Sequence, residues 1–113
     1  MTEVRNSKRY DLEERTLEFT KKIYSYVQKI SKTTANTEIA KQLVRSAGSV
    51  GANYIEANES LSRKDFIMRI KICRKEAKES RYWLSVLGED KGPLFQEATE
   101  LMKIFGSIVE KSK

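Results

Sequence analysis

The chain has 113 residues, enough for one domain with one hydrophobic core. It has no histidine and a single cysteine, Cys73, which excludes an internal disulfide framework and argues against a zinc site or a Cys-His nucleophile. The net charge of +6 is compatible with nucleic-acid binding, and with no signal-peptide core and no apolar run of roughly 18 residues we expect a cytoplasmic protein without membrane contact.

One proline, five glycines, 34% charged residues and recurring heptad-like apolar spacing are typical of an all-α domain. We expect a flexible basic arm over residues 1–10 and a four-helix bundle over residues 11–110. The first helix is predicted to begin at Asp11, which forms a D-x-x-E capping pair with Glu14. Its apolar stripe alternates steps of four and three: Leu12, Thr16, Phe19, Ile23, Tyr26 and Ile30.

Three further helices follow from the same spacing. The second runs from about Thr37 to Asn58, after the polar stretch SKTTANT, with the stripe Ile39, Leu43, Ser46, Val50, Asn53 and Ala57. The third opens at the Ser62–Asp65 capping pair, with Phe66, Ile70, Cys73, Ala77, Ser80, Leu84 and Leu87. The fourth follows GEDKGP, with Leu94, Ala98, Leu101, Phe105 and Ile108. Short polar loops between long helices predict an up-down-up-down antiparallel bundle.

The second helix has a second apolar stripe, nearly opposite its core face. Val44, Gly48, Gly51 and Ile55 follow one another at steps of four, three and four. A helix that is apolar on two sides is buried on two sides, and one bundle covers only the first. We therefore predict a subunit contact at these four residues. The alternative is that the two glycines only relieve crowding inside the bundle.

Several polar residues fall near the predicted core. Buried charges persist only when they are paired and hydrogen-bonded, so the sequence predicts a polar network between the second and third helices. Its role would be to fix helix register and partner choice. Its members would be Arg45, Ser49, Asn53 and Glu56 on one helix and Arg69, Glu76 and Glu79 on the other.

The alternative to a structural network is a catalytic carboxylate pair, such as Glu76 with Glu79. Histidine is absent, and the sequence offers no set of metal ligands and no phosphate-binding loop. A di-iron bundle would need Glu-x-x-His pairs. We therefore expect no enzymatic activity, no metal and no cofactor.

The third helix segregates its positive charge. Seven basic residues project within one arc of about 120°. They are Arg63, Lys64, Lys71, Arg74, Lys75, Lys78 and Arg81. Tyr82 lies in the same arc, where it could stack on a base or a sugar. The stripe is either a solvated face of a basic protein or, repeated in an oligomer, a belt that binds RNA or DNA through the phosphate backbone.

Two stretches, LVRSAGSVGANYIEANES and SRKDFIMRIKICRKEAKESRYWLSVL, resemble a known family. It is the family of bacterial four-helix-bundle proteins first described as products of intervening sequences within large-subunit ribosomal RNA genes. The resemblance covers about residues 10–108. It rests on the R-S-x-x-S-x-x-x-N-x-x-E-A run, the S-x-K-D-F motif and the E-A-K-E-S-x-Y-W-L run.

This resemblance implies assembly into a ring, typically a homopentamer. It also implies kinship with the accessory variability proteins of diversity-generating retroelements, basic pentamers that bind a reverse transcriptase and its template RNA. The family carries no accepted catalytic residues. We therefore expect a ring-forming nucleic-acid scaffold that serves as a reverse transcriptase accessory subunit. The alternative is a structural or regulatory homo-oligomer that binds only a protein partner.

Overall fold

Four α-helices make up the part of the chain that the structure describes, as the sequence predicts. A computed structural model describes residues 11–113, the side chain of Asp11 excepted, so the predicted arm and the predicted Asp11 cap lie outside the described residues. The helices are α1 (Asp11–Lys29), α2 (Thr34–Asn58), α3 (Arg63–Val86) and α4 (Pro93–Ser112). No strand occurs within residues 11–113, and no helix there is long and apolar enough to cross a membrane.

Local chemistry explains where the helices begin and end. The Thr33 hydroxyl accepts from the Asn36 N–H at 3.0 Å, so α2 begins three residues earlier than predicted, inside the polar stretch that we interpreted as a break. Ser62 caps α3 by accepting from the Asp65 N–H at 3.1 Å. Gly88, with φ of 85°, ends the turn after α3 in the left-handed region. Pro93 occupies the first turn of α4, where no N–H is needed.

The helices pack as an antiparallel bundle in which the contact between α1 and α4 is the smallest of the four helix–helix contacts. α2 packs against α1 and α3, and α3 packs against α4, whereas α1 has its smallest contact with α4. Arg15 bridges that side, because its Nε lies 2.7 Å from Glu97 Oε2 and its Nη2 lies 2.8 Å from Glu100 Oε1. The hydrogen bond to Glu97 raises the pKa of Arg15 despite partial burial, which keeps the bridge charged.

The core follows most of the predicted stripe positions. Its largest fully buried side chains are Phe19, Ile23, Leu43, Val50, Ile70, Leu84, Leu101, Phe105 and Val109. Val109, four residues after Phe105, takes the buried position that we predicted for Ile108, which is half-buried. Ile30 lies just beyond the end of α1 and not on its core stripe.

Two serines meet inside the α2–α3 contact. Ser46 and Ser80 are fully buried, and their hydroxyl oxygens lie 2.9 Å apart. Each hydroxyl also reaches a carbonyl of its own helix, Leu43 O at 3.1 Å for Ser46 and Glu76 O at 3.0 Å for Ser80. Serines at this contact let α2 and α3 approach closely while their polar atoms stay satisfied.

Candidate nucleic-acid interface

The outer face of α3 carries four exposed lysines, which we call the lysine stripe: Lys64, Lys71, Lys75 and Lys78. At 100° per residue they fall within an arc of about 60°, and from first to last they span about 21 Å along the helix axis. Exposed Met68 and Tyr82 continue the line at steps of three and four residues. The stripe is therefore straight, narrow and open to solvent.

The three arginines of the predicted arc lie at one edge of it, along the border with α4. Arg81 is partly buried, with its guanidinium 4.7 Å from the centre of the Phe95 ring. The Cδ of Arg74 lies beside Gly106, where an added Cβ would be 3.6 Å away. Arg63 donates to the carbonyl of Ser112 at 3.4 Å. The predicted basic arc thus divides into a lysine stripe in solvent and three arginines that contact α4.

The carboxylates of α3 lie outside the arc of the lysine stripe. Glu76 and Glu79 point toward α2, where Arg45 contacts both. Asp65 sits in the first turn, well away from the arc by helix geometry. Among residues 11–113, Lys75 is the one stripe residue with an ion-pair contact, because its Nζ lies 3.8 Å from Glu76 Oε2. The positive charge of the stripe is therefore largely uncompensated on its own helix.

Arg45, Glu76 and Glu79 form one half of the polar contact between α2 and α3. The Arg45 Nη2 hydrogen-bonds Glu79 Oε2 and lies 3.5 Å from Glu76 Oε1. Trp83 Nε1 donates to Glu79 at 3.1 Å. The Glu76 side chain is 7% exposed, whereas Arg45 is 51% exposed, so the acid is buried but its cationic partner is not.

The second half of the polar contact lies two turns along the helices. Arg69 Nη1 donates to Asn53 Oδ1 at 2.9 Å, and Asn53 Nδ2 donates to Ser49 Oγ and to the Ser49 carbonyl, each at 2.9 Å. The structure therefore brings together six of the seven residues in the predicted network, in two groups. Glu56 is exposed, and within residues 11–113 its carboxylate forms no hydrogen bond or ion pair with the other six.

Hydrogen bonding sets the charge states in the first group. Burial disfavours the Glu79 carboxylate, but the hydrogen bonds from Trp83 and Arg45 outweigh it, so the pKa of Glu79 lies below its ordinary value. The hydrogen bond to Glu79 raises the pKa of Arg45. Both groups are therefore charged at neutral pH, as a structural contact between helices requires.

The predicted second stripe of α2 is divided between the surface and the α1 contact. Val44 is 38% exposed and Ile55 51% exposed, and a Cβ on Gly48 would meet no other atom within 4 Å. Gly51 instead faces α1, where a Cβ would lie 3.0 Å from Thr16 Oγ1. At Gly51 the glycine relieves crowding inside the bundle, which was the alternative interpretation. The open part of the stripe is therefore Val44, Gly48 and Ile55.

An apolar cavity of about 470 Å³ adjoins this open part, in the groove between α1 and α2. Val27, Ile30, Ala40 and Val44 supply its apolar lining, and Lys32, Lys41 and Arg45 are among its polar residues. The apolar spacing did not predict this cavity, although Val27 and Ala40 are apolar residues outside the predicted stripes. The α1–α2 pair thus has an apolar outer surface beyond the stripe.

The single cysteine belongs to the hydrophobic core. Cys73 is buried and donates to the Val50 carbonyl at 3.4 Å, and burial raises the pKa of its thiol to about 12. Within residues 11–113, no group of three or more Cys, Asp or Glu side chains is placed to hold a metal ion.

Fold and surface together define a small four-helix bundle with one basic face. Residues 8–110 match the family described as 23S rRNA-intervening sequence protein, and the chain belongs to that family. A solved structure from Bacteroides thetaiotaomicron, of a protein of unknown function in the S23 ribosomal protein family, is 31% identical. The match covers 87% of this chain and 94% of that one, with a TM-score of 0.78. No curated protein matches the chain.

Proposed function

We propose that this protein is a non-enzymatic scaffold that assembles with itself and holds RNA by its phosphate backbone along the lysine stripe. The observation that carries the proposal is the arc of four exposed lysines on α3 that contains no carboxylate. Exposed ammonium groups bind phosphates by releasing condensed counterions, which needs no base recognition. The residues on this face should therefore bind the phosphate backbone of a nucleic acid whatever its base sequence.

The family and its structural neighbour favour RNA as the ligand. The family name connects its members with 23S rRNA, and the similar Bacteroides protein is assigned to a ribosomal protein family, with its function unknown. The lysine contacts by themselves suit RNA and DNA alike, because both present the same phosphates. Competition between single-stranded RNA and single-stranded DNA of the same sequence would measure the preference between the two.

Self-assembly would use the open part of the second stripe. Val44 and Ile55 expose apolar side chains, Gly48 leaves room for a close backbone approach, and the apolar cavity extends this surface toward α1. A symmetric oligomer would repeat the lysine stripe around its circumference. A ring of five subunits is what the family resemblance in the sequence implies.

The experiment for RNA binding compares two quadruple variants. One replaces Lys64, Lys71, Lys75 and Lys78 by Gln; the control replaces Lys21, Lys22, Lys91 and Lys103, which are exposed but not on α3. Both lower the net charge from +6 to +2, because each removes four positive charges. Affinity for a labelled single-stranded RNA is measured across a salt series.

The two variants should behave differently. Removing the stripe should weaken binding and reduce the slope of log affinity against log salt by about 3 per chain, at about 0.7 for each phosphate that is no longer neutralised. The control variant should keep most of the affinity and most of the salt slope. Equal losses of affinity and salt slope in the two variants would mean that net charge alone determines RNA binding, and would contradict a specific role for the lysine stripe.

Assembly is tested by a matched pair on α2. Gly48→Leu places a bulky side chain on the proposed subunit contact, and Ala35→Leu places one on an exposed position of the same helix, on the opposite side. Light scattering should show a smaller mass for Gly48→Leu only, with helicity unchanged. A mass unaffected by Gly48→Leu would contradict this contact.

A protein partner is the second candidate, because Met68, Tyr82 and Val86 expose apolar side chains along the same face of α3. Such spacing is typical of a helix that docks on another protein. The accessory role with a reverse transcriptase combines both ligands and rests on the sequence resemblance. It predicts a reverse transcriptase gene beside this one and co-purification of the two proteins; a protein that shows neither would be a stand-alone scaffold.

A further inference from the structure

We infer that Tyr82 is a base-stacking residue and that it gives the lysine stripe a preference for single-stranded over duplex RNA. The inference rests on the proposed function. It assigns a ligand class that the lysines cannot distinguish, because they contact phosphates that both forms of RNA carry.

Tyr82 lies on the line of the lysine stripe. It follows Lys75 by seven residues and Lys78 by four, so its direction falls inside the arc of the lysines. Along the helix axis it lies about 6 Å beyond Lys78. The side chain is 59% exposed. A strand whose phosphates follow the lysines would therefore bring a base over this ring.

The Tyr82 ring is held in place by its neighbours. It meets the Trp83 ring edge to face, with centroids 4.8 Å apart and an angle of 76° between the planes. Trp83 in turn donates to Glu79 at 3.1 Å, and Glu79 is bonded to Arg45 of α2. This series of contacts runs from α2 to an exposed aromatic ring. Such support is expected of a binding residue, because an ordered ring loses little freedom when a ligand stacks on it.

Stacking requires a base whose face is free. In a duplex the faces are covered by neighbouring base pairs, and a ring on the side of a straight helix cannot reach them. In a single strand every base has an accessible face, and stacking on an aromatic side chain is tolerant of sequence. The lysines should thus contribute to the binding of both duplex and single-stranded RNA, and Tyr82 should contribute to the binding of the single strand alone.

The experiment uses full-length protein with two probes of defined structure, a 12-nucleotide oligoadenylate and a blunt 12-base-pair RNA duplex. Each is titrated across a salt series against wild type, Tyr82→Ala, Tyr82→Phe and the lysine-stripe variant. Circular dichroism and light scattering check that each variant keeps its helicity and mass. Emission from Trp83, the single tryptophan, gives a second readout beside the ring.

Tyr82→Ala should weaken binding of the oligoadenylate by about 5- to 150-fold, the loss for one stacked base, with the salt slope unchanged. Its affinity for the duplex should equal that of wild type. Tyr82→Phe keeps the ring and should bind both probes as wild type does. Oligoadenylate should change the Trp83 emission of wild type, and the duplex should not.

Other results overturn the inference in distinguishable ways. If Tyr82→Ala binds both probes as wild type does, or weakens both equally, the residue does not stack on a base, while the lysine stripe remains supported by its own variant. If wild type binds neither probe at low salt, the inference fails together with the proposed function.

Discussion

Gly51 and Thr16 lie against each other where α2 crosses α1. A Cβ on Gly51 would come within 3.0 Å of Thr16 Oγ1 and 3.2 Å of Thr16 Cβ. One turn away, Thr20 Oγ1 donates to the Ala47 carbonyl at 3.1 Å, so the two helices are joined by a side chain to backbone bond at the same crossing. The absence of a side chain at Gly51 therefore sets how closely α1 approaches α2.

Alanine substitutions should separate the roles of the two glycines. Gly48→Ala has space for its methyl group and should raise the free energy of unfolding by about 0.5–1 kcal/mol, because alanine is the better helix former. Gly51→Ala makes the same gain but forces Thr16 to move, so it should be less stable than Gly48→Ala by about 1 kcal/mol or more. Urea unfolding measures both. Equal stabilisation would show that α1 yields readily at this crossing.

Helix number, order and most of the core could be predicted from the sequence, because apolar spacing and capping residues are local signals. Ser62 caps α3 and Pro93 lies in the first turn of α4, as the chemistry of these two residues predicts. Thr33 was missed since a polar stretch that caps a helix resembles one that ends it. These signals need no knowledge of the neighbouring helices.

The candidate site was harder to predict because it depends on which helix faces which. Helix geometry placed Arg74 and Arg81 on the same broad arc as the lysines, but only the position of α4 shows that they pack against it. In the same way, Gly48 and Gly51 belong to one stripe by their spacing, and α1 covers only the second. Sequence spacing gives directions on one helix, and the neighbouring helices decide which directions are buried.

The buried pair of Ser46 and Ser80 should show energetic coupling. In either single alanine variant the remaining hydroxyl still has its own carbonyl as an acceptor, so each should cost only about 0.5–1.5 kcal/mol. The double variant should cost less than the sum of the two, since the hydroxyl–hydroxyl bond is lost only once. A double-mutant cycle by chemical denaturation gives the coupling. Strict additivity would mean that the two hydroxyls do not stabilise each other.

Arg45 should matter more to stability than Glu76, although Glu76 is the more buried of the two. If the cationic partner of Glu76 were also buried, removal of Glu76 would strand that cation and cost roughly 3–5 kcal/mol. Arg45 is half-exposed and keeps Glu79, so Glu76→Gln should change stability by less than about 1 kcal/mol. Arg45→Met leaves Glu76 with only the exposed Lys75 and Glu79 with only the Trp83 N–H, and should cost about 1–2 kcal/mol. The reverse order in thermal unfolding would show that Glu76 depends on a different partner.

Glu79 should make the fold sensitive to acid. Its pKa is lowered in the folded state, so its stabilising contribution is present above the pKa of the unfolded chain and is lost as the pH falls through the folded value. Below about pH 5 the melting temperature of wild type should therefore fall more steeply than that of Glu79→Gln. At neutral pH the variant should be the less stable protein. Parallel curves for the two proteins would assign the acid sensitivity to other carboxylates.

Arg81 should contribute to packing and not to RNA binding. Its Nε is buried and has no hydrogen-bond partner among the residues that the structure describes, and its guanidinium lies over Phe95. Arg81→Met replaces an incompletely bonded cation by an apolar side chain of similar length, so stability should stay within about 1 kcal/mol of wild type. Lys78→Gln, three residues away on the exposed stripe, should lower the salt dependence of RNA binding by about 0.7, and Arg81→Met should leave it unchanged. An equal reduction in both variants would mean that Arg81 leaves Phe95 to contact phosphate when RNA binds.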